Sequence, residues 1–352
     1  MDTISILEPL LKILFIIFVA LLPAVAYGVL AERKISAFIQ NRLGPNRVGP
    51  WGLLQPLADI PKLFFKEDIV PAAANKFIHS LAPLISITIA FSTFAVIPFG
   101  DTITFSIGDS SYTTKLQIAD VNIGFLYILA LSSLAVYGIT LSGWSSNNKY
   151  SLLGGLRSTA QMISYELSMG LSLIGVVMLS SSLQLDDIVA AQGGYWLGFI
   201  PKWNAIPQFL GFVIFVVAMF AETNRLPFDL PEAEPELVAG YHTEYTGMKF
   251  GIFMLSEYIA MITASALIAT LYLGGWQAPY LEHLGLSPFL MSVAQMAAFV
   301  VKVFAIVIFF MVVRWTVPRF RYDQLMSIGW KVLLPLALVN ILLTGLFVIL
   351  YH

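Results

Sequence analysis

Residues 206–273 read IPQFLGFVIFVVAMFAETNRLPFDLPEAEPELVAGYHTEYTGMKFGIFMLSEYIAMITASALIATLYL. Two apolar runs, about 206–222 and 248–273, approach or exceed the roughly 20 residues that carry a helix across the hydrocarbon core of a bilayer. The loop between them holds six of the chain's 21 carboxylates: Glu222, Asp229, Glu232, Glu234, Glu236 and Glu244. In water these groups would repel one another, and beside a bilayer a lower dielectric strengthens the repulsion and favours protonation. The loop therefore reads as a store of exchangeable protons held between two membrane helices. Pro227, Pro231 and Pro235 argue against a long helix through it and predict an extended segment, with Glu232, Glu234 and Glu236 on one face.

Moving outward, the same apolar pattern recurs at about 6–30, 78–99, 119–142, 160–182, 289–313 and 328–350, making eight windows in all. The chain is 58% hydrophobic and 11% charged, with a mean hydropathy of +0.82. A soluble domain needs roughly 25% charged residues to cover its surface. The expected class is an all-α polytopic membrane protein, a single membrane domain over 1–352 with functional inner loops at 31–77, 222–247 and 314–327. The first apolar stretch lacks a basic leader and a small-residue cleavage site, so it is expected to be a retained helix, not a signal peptide.

The connections leaving the first, third, fifth and seventh windows, counted with the first turn of the window each leads into, hold 15 of the 19 lysines and arginines. The positive-inside rule makes that face cytoplasmic, or matrix-facing in an organelle, and puts both termini on the opposite side. The outer connections, such as GDTITFSIGDSSYTTK, are polar and chemically bland. A net charge of -2 points away from nucleic acid. With no cysteine and only His79, His242, His283 and His352, the chain cannot ligate an iron-sulfur cluster through thiolates. Nor does it offer a histidine pair at matching depth for a haem. No metal site is expected, and any electrons belong on a partner or a diffusible carrier.

Two carboxylates fall inside windows. Glu166, in STAQMISYELSMG, and Glu257, in MLSEYIAMITASA, each sit roughly 10 to 14 Å below the inner surface at 1.5 Å per residue. A charge there costs on the order of 3 kcal/mol, so such a group faces a hydrated cavity, pairs with a cation or stays protonated. The plainer reading is a protonated carboxyl making a packing hydrogen bond between helices. With Glu222 and the acidic loop above it, Glu166 completes a possible relay from the inner face to mid-membrane. In the first inner loop, WGLLQPLADIPKLFFKED has apolar residues near helical spacing, interrupted by Pro56 and Pro61, and reads as a broken amphipathic helix lying in the interface. The preceding AERKISAFIQNRLGPNRVGPWG lacks the G-K-[ST] ending of a phosphate loop. Its arginines suit lipid head groups or a peripheral protein, and RWTVPRFRYDQL suits docking or the entry of a polar head on an apolar tail.

At these residues the pattern becomes familiar. AERK (31–34), QNRLGPNRVGPWGLLQPLADIPKLFFKED (40–68), SYE (164–166), AETNRLPFDLPEAEPELVAGYHTEYTGMKFG (221–251) and PRFRYDQLM (318–326) resemble the family of H-type membrane subunits of respiratory complex I, the proton-pumping NADH:quinone oxidoreductase. The mitochondrial equivalent is NADH dehydrogenase subunit 1. The resemblance runs over essentially the whole chain. It implies an all-helical heel of the membrane arm, with a quinone chamber entered from the bilayer and shared with the peripheral subunits that carry the terminal cluster. Carried over by motif, Arg33, Arg42 and Arg314 would line or support the chamber. Glu32, Asp59, Glu166, Glu222, Asp229, Glu232, Glu234, Glu236 and Glu244 would form the acidic path leading away, joined by Glu257 on the membrane-depth argument above. Quinone would be a substrate, with flavin and iron-sulfur clusters on partner subunits only. The other partners implied are small and antiporter-like membrane subunits and lipid, and the expected location is a bacterial inner membrane with periplasmic termini. The chain departs from the family at Pro235, where a small residue is usual. Alternatives are a membrane subunit of a related hydrogenase, a freestanding ion transporter using Glu166 and Glu257, or a purely structural anchor.

Overall fold

The computed structural model describes residues 3–107, 110–196, 198–231, 234–281, 285 and 287–351. Among the described residues, seven helices are long and apolar enough to cross a membrane: Leu7–Ile39, Lys76–Val96, Gly124–Ser145, Lys149–Ser180, Gly247–Tyr272, Pro288–Thr316 and Tyr322–Leu350. The shorter apolar helix Phe209–Glu222 lies between the fourth and fifth of these. Counted together in chain order they are the first to eighth spans, one for each apolar window of the sequence. The first and last contain π-helical stretches, Ile16–Leu21 and Ile328–Leu333. Outside the helices, β1 (Thr102–Ile107) and β2 (Ser110–Lys115) form an antiparallel hairpin, and Tyr195–Trp196 pairs with Ile200–Pro201.

Local chemistry sets where the spans begin. Asn75 caps the second span by accepting from the Ile78 amide at 3.3 Å, and Asn148 caps the fourth by accepting from Tyr150 at 2.9 Å. The fourth span is 32 residues long, about 48 Å at 1.5 Å per residue, so its polar first turns, KYSLLGGLRST, reach well past the apolar window. The fifth has only 14 residues, about 21 Å against a hydrocarbon core of about 30 Å. The turn that leaves it is therefore drawn in among the other helices, and irregular backbone at such depth survives only when protein surrounds it. Phe228, Asp229 and Leu230 in that turn are all buried.

The sixth span lies at the centre, with 67% of its window buried, against 22% for the first, seventh and eighth. Apolar side chains of the first, second, third, fourth, fifth, sixth, seventh and eighth spans meet in one contiguous core. A polar clasp fastens the eighth span: Gln208 donates to Thr344 at 2.6 Å and accepts from Asn340 at 2.9 Å. All three residues are buried.

Two local expectations need correction. The interfacial helix Gln55–Phe65 is continuous, not broken. Pro56 falls in its first turn, where no amide is needed, and the helix accommodates Pro61 within its body. In the acidic loop, Glu234–Leu237 is a single helical turn, so Glu234 and Glu236 do not share the face of an extended segment.

Candidate functional site

The chain leaving the fifth span curls back on itself. The Asn224 amide donates to Ala221 at 3.3 Å and the Arg225 amide to Phe220 at 3.2 Å, with Asn224 left-handed at φ 50°. Asparagine tolerates that conformation better than most residues. The curl turns Arg225 inward until it is 1% exposed. Its guanidinium meets Glu32 of the first span at 2.7 Å and Glu257 of the sixth at 3.0 Å. Arg314, from the end of the seventh span, reaches Glu32 at 2.7 Å and Glu257 at 4.0 Å. The Tyr258 hydroxyl donates to Glu32 at 2.7 Å, and its ring lies 4.5 Å from the Arg225 guanidinium. Two acids and two arginines thus balance formally, which is what burial of so much charge requires. Burial alone disfavours a cation, but Glu257 and Glu32 more than offset it and raise the Arg225 pKa above the ordinary arginine value.

A second pair adjoins the first. Arg319 donates to Asp229 at 2.7 Å, leaving Asp229 Oδ1 and Arg319 Nη1 buried without protein partners among the described residues. Burial pushes the Asp229 carboxyl up to about 6, against the pull of Arg319 and Arg314 and with help from Glu257.

Glu257 has a second surface. It lines a cavity of about 120 Å³ inside the bundle, whose walls also include Ser132, Glu222, Thr223, Asn224 and Ser256. Apolar side chains from the second to sixth spans supply most of the rest, among them Phe125, Met169, Phe215 and Leu267. The volume admits several waters, and the polar groups supply partners for them. Glu222 has no basic partner among the described residues and lies within electrostatic reach of Glu166. Glu166 in turn accepts a hydrogen bond from Ser133 of the third span.

The structure thus gathers Glu32, Glu257 and Arg314, sets Asp229 beside them, and places Glu222 on the cavity wall within electrostatic reach of Glu166. Asp59 lies elsewhere, on the interfacial helix, where Arg33 meets it at 2.8 Å and Lys62 at 3.3 Å. Although burial works the other way, the hydrogen bond from Gln55 and the charge of Arg33 hold Asp59 below its ordinary value. Arg42 is exposed and donates to Gln40 at 2.7 Å. Glu236 pairs with Arg157 at 2.7 Å at the rim, and Glu244 accepts from Asn148 at 2.6 Å. Glu232 and the side chain of Glu234 lie outside the described residues. Of the described acids of the loop, Asp229, Glu236 and Glu244 are thus taken by separate partners while Glu222 lines the cavity, so they are not pooled in one repelling cluster. Sequence reasoning missed Arg225, Arg319 and Tyr258 as members of the site. The available signal was a lone arginine set between Glu222 and Asp229 beside a membrane helix, a position where a cation asks for a buried acid.

A helical bundle that encloses a balanced ion-pair cluster beside a carboxylate-lined cavity defines a polytopic membrane protein with charge buried inside its bundle. Comparison with known proteins gives its kind: the NADH dehydrogenase family model matches residues 11–345, and the chain belongs to that family. It is 53% identical over 346 residues to NADH-quinone oxidoreductase subunit 8 of Rhodothermus marinus, covering 96% of this chain and 97% of the relative. It is 52% identical over 345 residues to the H-type subunit of the NADH-quinone oxidoreductase of Salinibacter ruber, covering 96% and 95%. Against an H-type subunit of the same enzyme from Geobacter metallireducens the figure is 55% over 336 residues, again covering 96% and 95%.

Proposed function

We propose that this chain is the H-type membrane subunit of a proton-translocating NADH:quinone oxidoreductase, and that it converts quinone reduction into proton movement through the cluster described above. It works as one subunit of an enzyme complex embedded in a bacterial inner membrane, with its basic loops cytoplasmic and its termini periplasmic. Flavin and iron-sulfur clusters belong to partner subunits, and the chain forms part of the chamber where quinone is reduced. Arg33, Arg42 and Arg314 serve that chamber, with Arg314 closest to the buried acids. Small and antiporter-like membrane subunits receive the signal on the far side.

A quinone that accepts an electron pair takes up a proton pair as well, so its reduction creates a local demand for positive charge. Glu32, Glu257 and Asp229 feel that demand through Arg225, Arg314 and Arg319, because in a poorly screened interior a new charge alters the protonation of its neighbours. The observation that carries the reading is the double placement of Glu257, in the ion-pair cluster and in the cavity wall that it shares with Glu222. A change at the cluster is thereby passed to a hydrated space and on to Glu166. In assembled complexes Glu166→Gln keeps a partner for Ser133 but removes the carboxyl, and should lower quinone reduction on the order of tenfold. Wild-type turnover with normal assembly would exclude Glu166 from the path.

A further inference from the structure

We propose that Gln161 of the fourth span is a positioning residue that holds Arg225 between Glu32 and Glu257 and ties that placement to the helix carrying Glu166. The inference rests on the functional reading above. Gln161 is 0% exposed, and its side-chain amide donates to two backbone carbonyls, Ala221 at 2.8 Å and Phe228 at 2.7 Å. These carbonyls bracket the turn that bears Arg225, so one amide closes it from both ends.

Neighbours on the same helical face complete the grip. Ser158 and Gln161 approach Asn224 Oδ1 at 3.5 and 3.4 Å, and the Tyr165 ring lies 5.3 Å from that of Phe228. Gln161 Oε1, by contrast, is buried and meets no donor among the described residues. Turning the amide over would set that oxygen against two carbonyl oxygens, so the donor end fixes the orientation. A buried glutamine kept with one end unsatisfied signals that its two donated bonds matter more than the acceptor it forgoes. Glu166 follows five residues later on the same helix, about 7.5 Å along its axis. Any shift of the Arg225 turn therefore pulls on the helix that presents Glu166.

The test uses the purified, assembled complex with Gln161→Met, Gln161→Glu, Arg225→Lys and the double variant Gln161→Met/Arg225→Lys. Gln161→Met should lower kcat for quinone reduction about fivefold per assembled complex while leaving the quinone KM within about twofold, because the residues proposed for the quinone chamber, Arg33, Arg42 and Arg314, lie outside this turn. Gln161→Glu should recover part of the loss at acid pH, where its protonated carboxyl regains one donor. The double variant should be no slower than Arg225→Lys alone, since both act through one group. Wild-type kcat in Gln161→Met, multiplicative losses in the double variant, or failure of both Gln161 variants to assemble would overturn the positioning role. Wild-type kcat in Arg225→Lys would instead overturn the cluster's part in the reaction.

Discussion

A buried arginine held by Glu32 and Glu257, with Tyr258 stacked beside it, leaves each acid dependent on a partner far away in sequence. Removing one member of such a set exposes the others as uncompensated charges, at a cost of about 3–5 kcal/mol. Asp229 differs, because burial outweighs its arginine partners and lifts its carboxyl from 3.8 to about 6. The folded chain therefore binds a proton there that the unfolded chain releases between about pH 4 and 6. That contribution to stability is full below about pH 4 and lost as pH rises through about 6. A protonated-carboxyl infrared band titrating near pH 6 should be present in the native protein and absent in Asp229→Asn; an unchanged band would place the titration elsewhere. Glu257 and Asp229 were legible from sequence, since charge in or beside apolar surroundings stands out, whereas Glu32 came only through the family resemblance. Their partners were not, because Glu32 and Arg225 lie 193 residues apart and nothing local to either points to the other. For Glu236, a loop acid with Arg157 for company and ample exposure, the same sequence signal marked a residue of the rim.

Hydropathy marks where each span is apolar, and it marked all eight, but it is blind to where a helix continues as polar chain. The fourth span shows the consequence. Its first turns, beginning at Lys149, seat the end of the acidic loop through Gly154. A Cβ on Gly154 would lie 2.8 Å from the Tyr241 amide nitrogen and 2.9 Å from Gly240, both backbone atoms that cannot swing aside. Gly154→Ala should therefore destabilise the chain by about 1–3 kcal/mol, read as a lower thermal midpoint and less assembled complex. An unchanged midpoint would mean that this contact is loose. The fifth span teaches the converse: its 14 residues fall short of a full crossing, and that shortfall places Glu222 and Arg225 inside the bundle. The window suggested the length, while the burial of the turn behind it needed the tertiary structure. The acidic loop was predicted to be extended because prolines oppose long helices, yet a single turn, Glu234–Leu237, escapes that argument.

At the scale of the whole molecule, the informative faces are unequal. Most basic side chains gather on the face that also carries the interfacial helix and the acidic loop, whereas the opposite face holds the hairpin of β1 and β2. The chain has no native cysteine, so single introduced thiols report sidedness without background. Asn46→Cys should react with an impermeant maleimide only from the cytoplasmic side of sealed vesicles, and Thr113→Cys only from the periplasmic side. The reverse pattern would invert the assigned orientation. On the function proposed above, the path runs from Arg225 and Glu257, past Glu222 on the cavity wall, to Glu166 of the fourth span. The most direct test of this path is the ratio of protons moved to electrons transferred, measured in proteoliposomes holding the complete complex with Glu222→Gln. The account predicts slower quinone reduction and a lower ratio in an otherwise intact complex, whereas native turnover with a native ratio would contradict it.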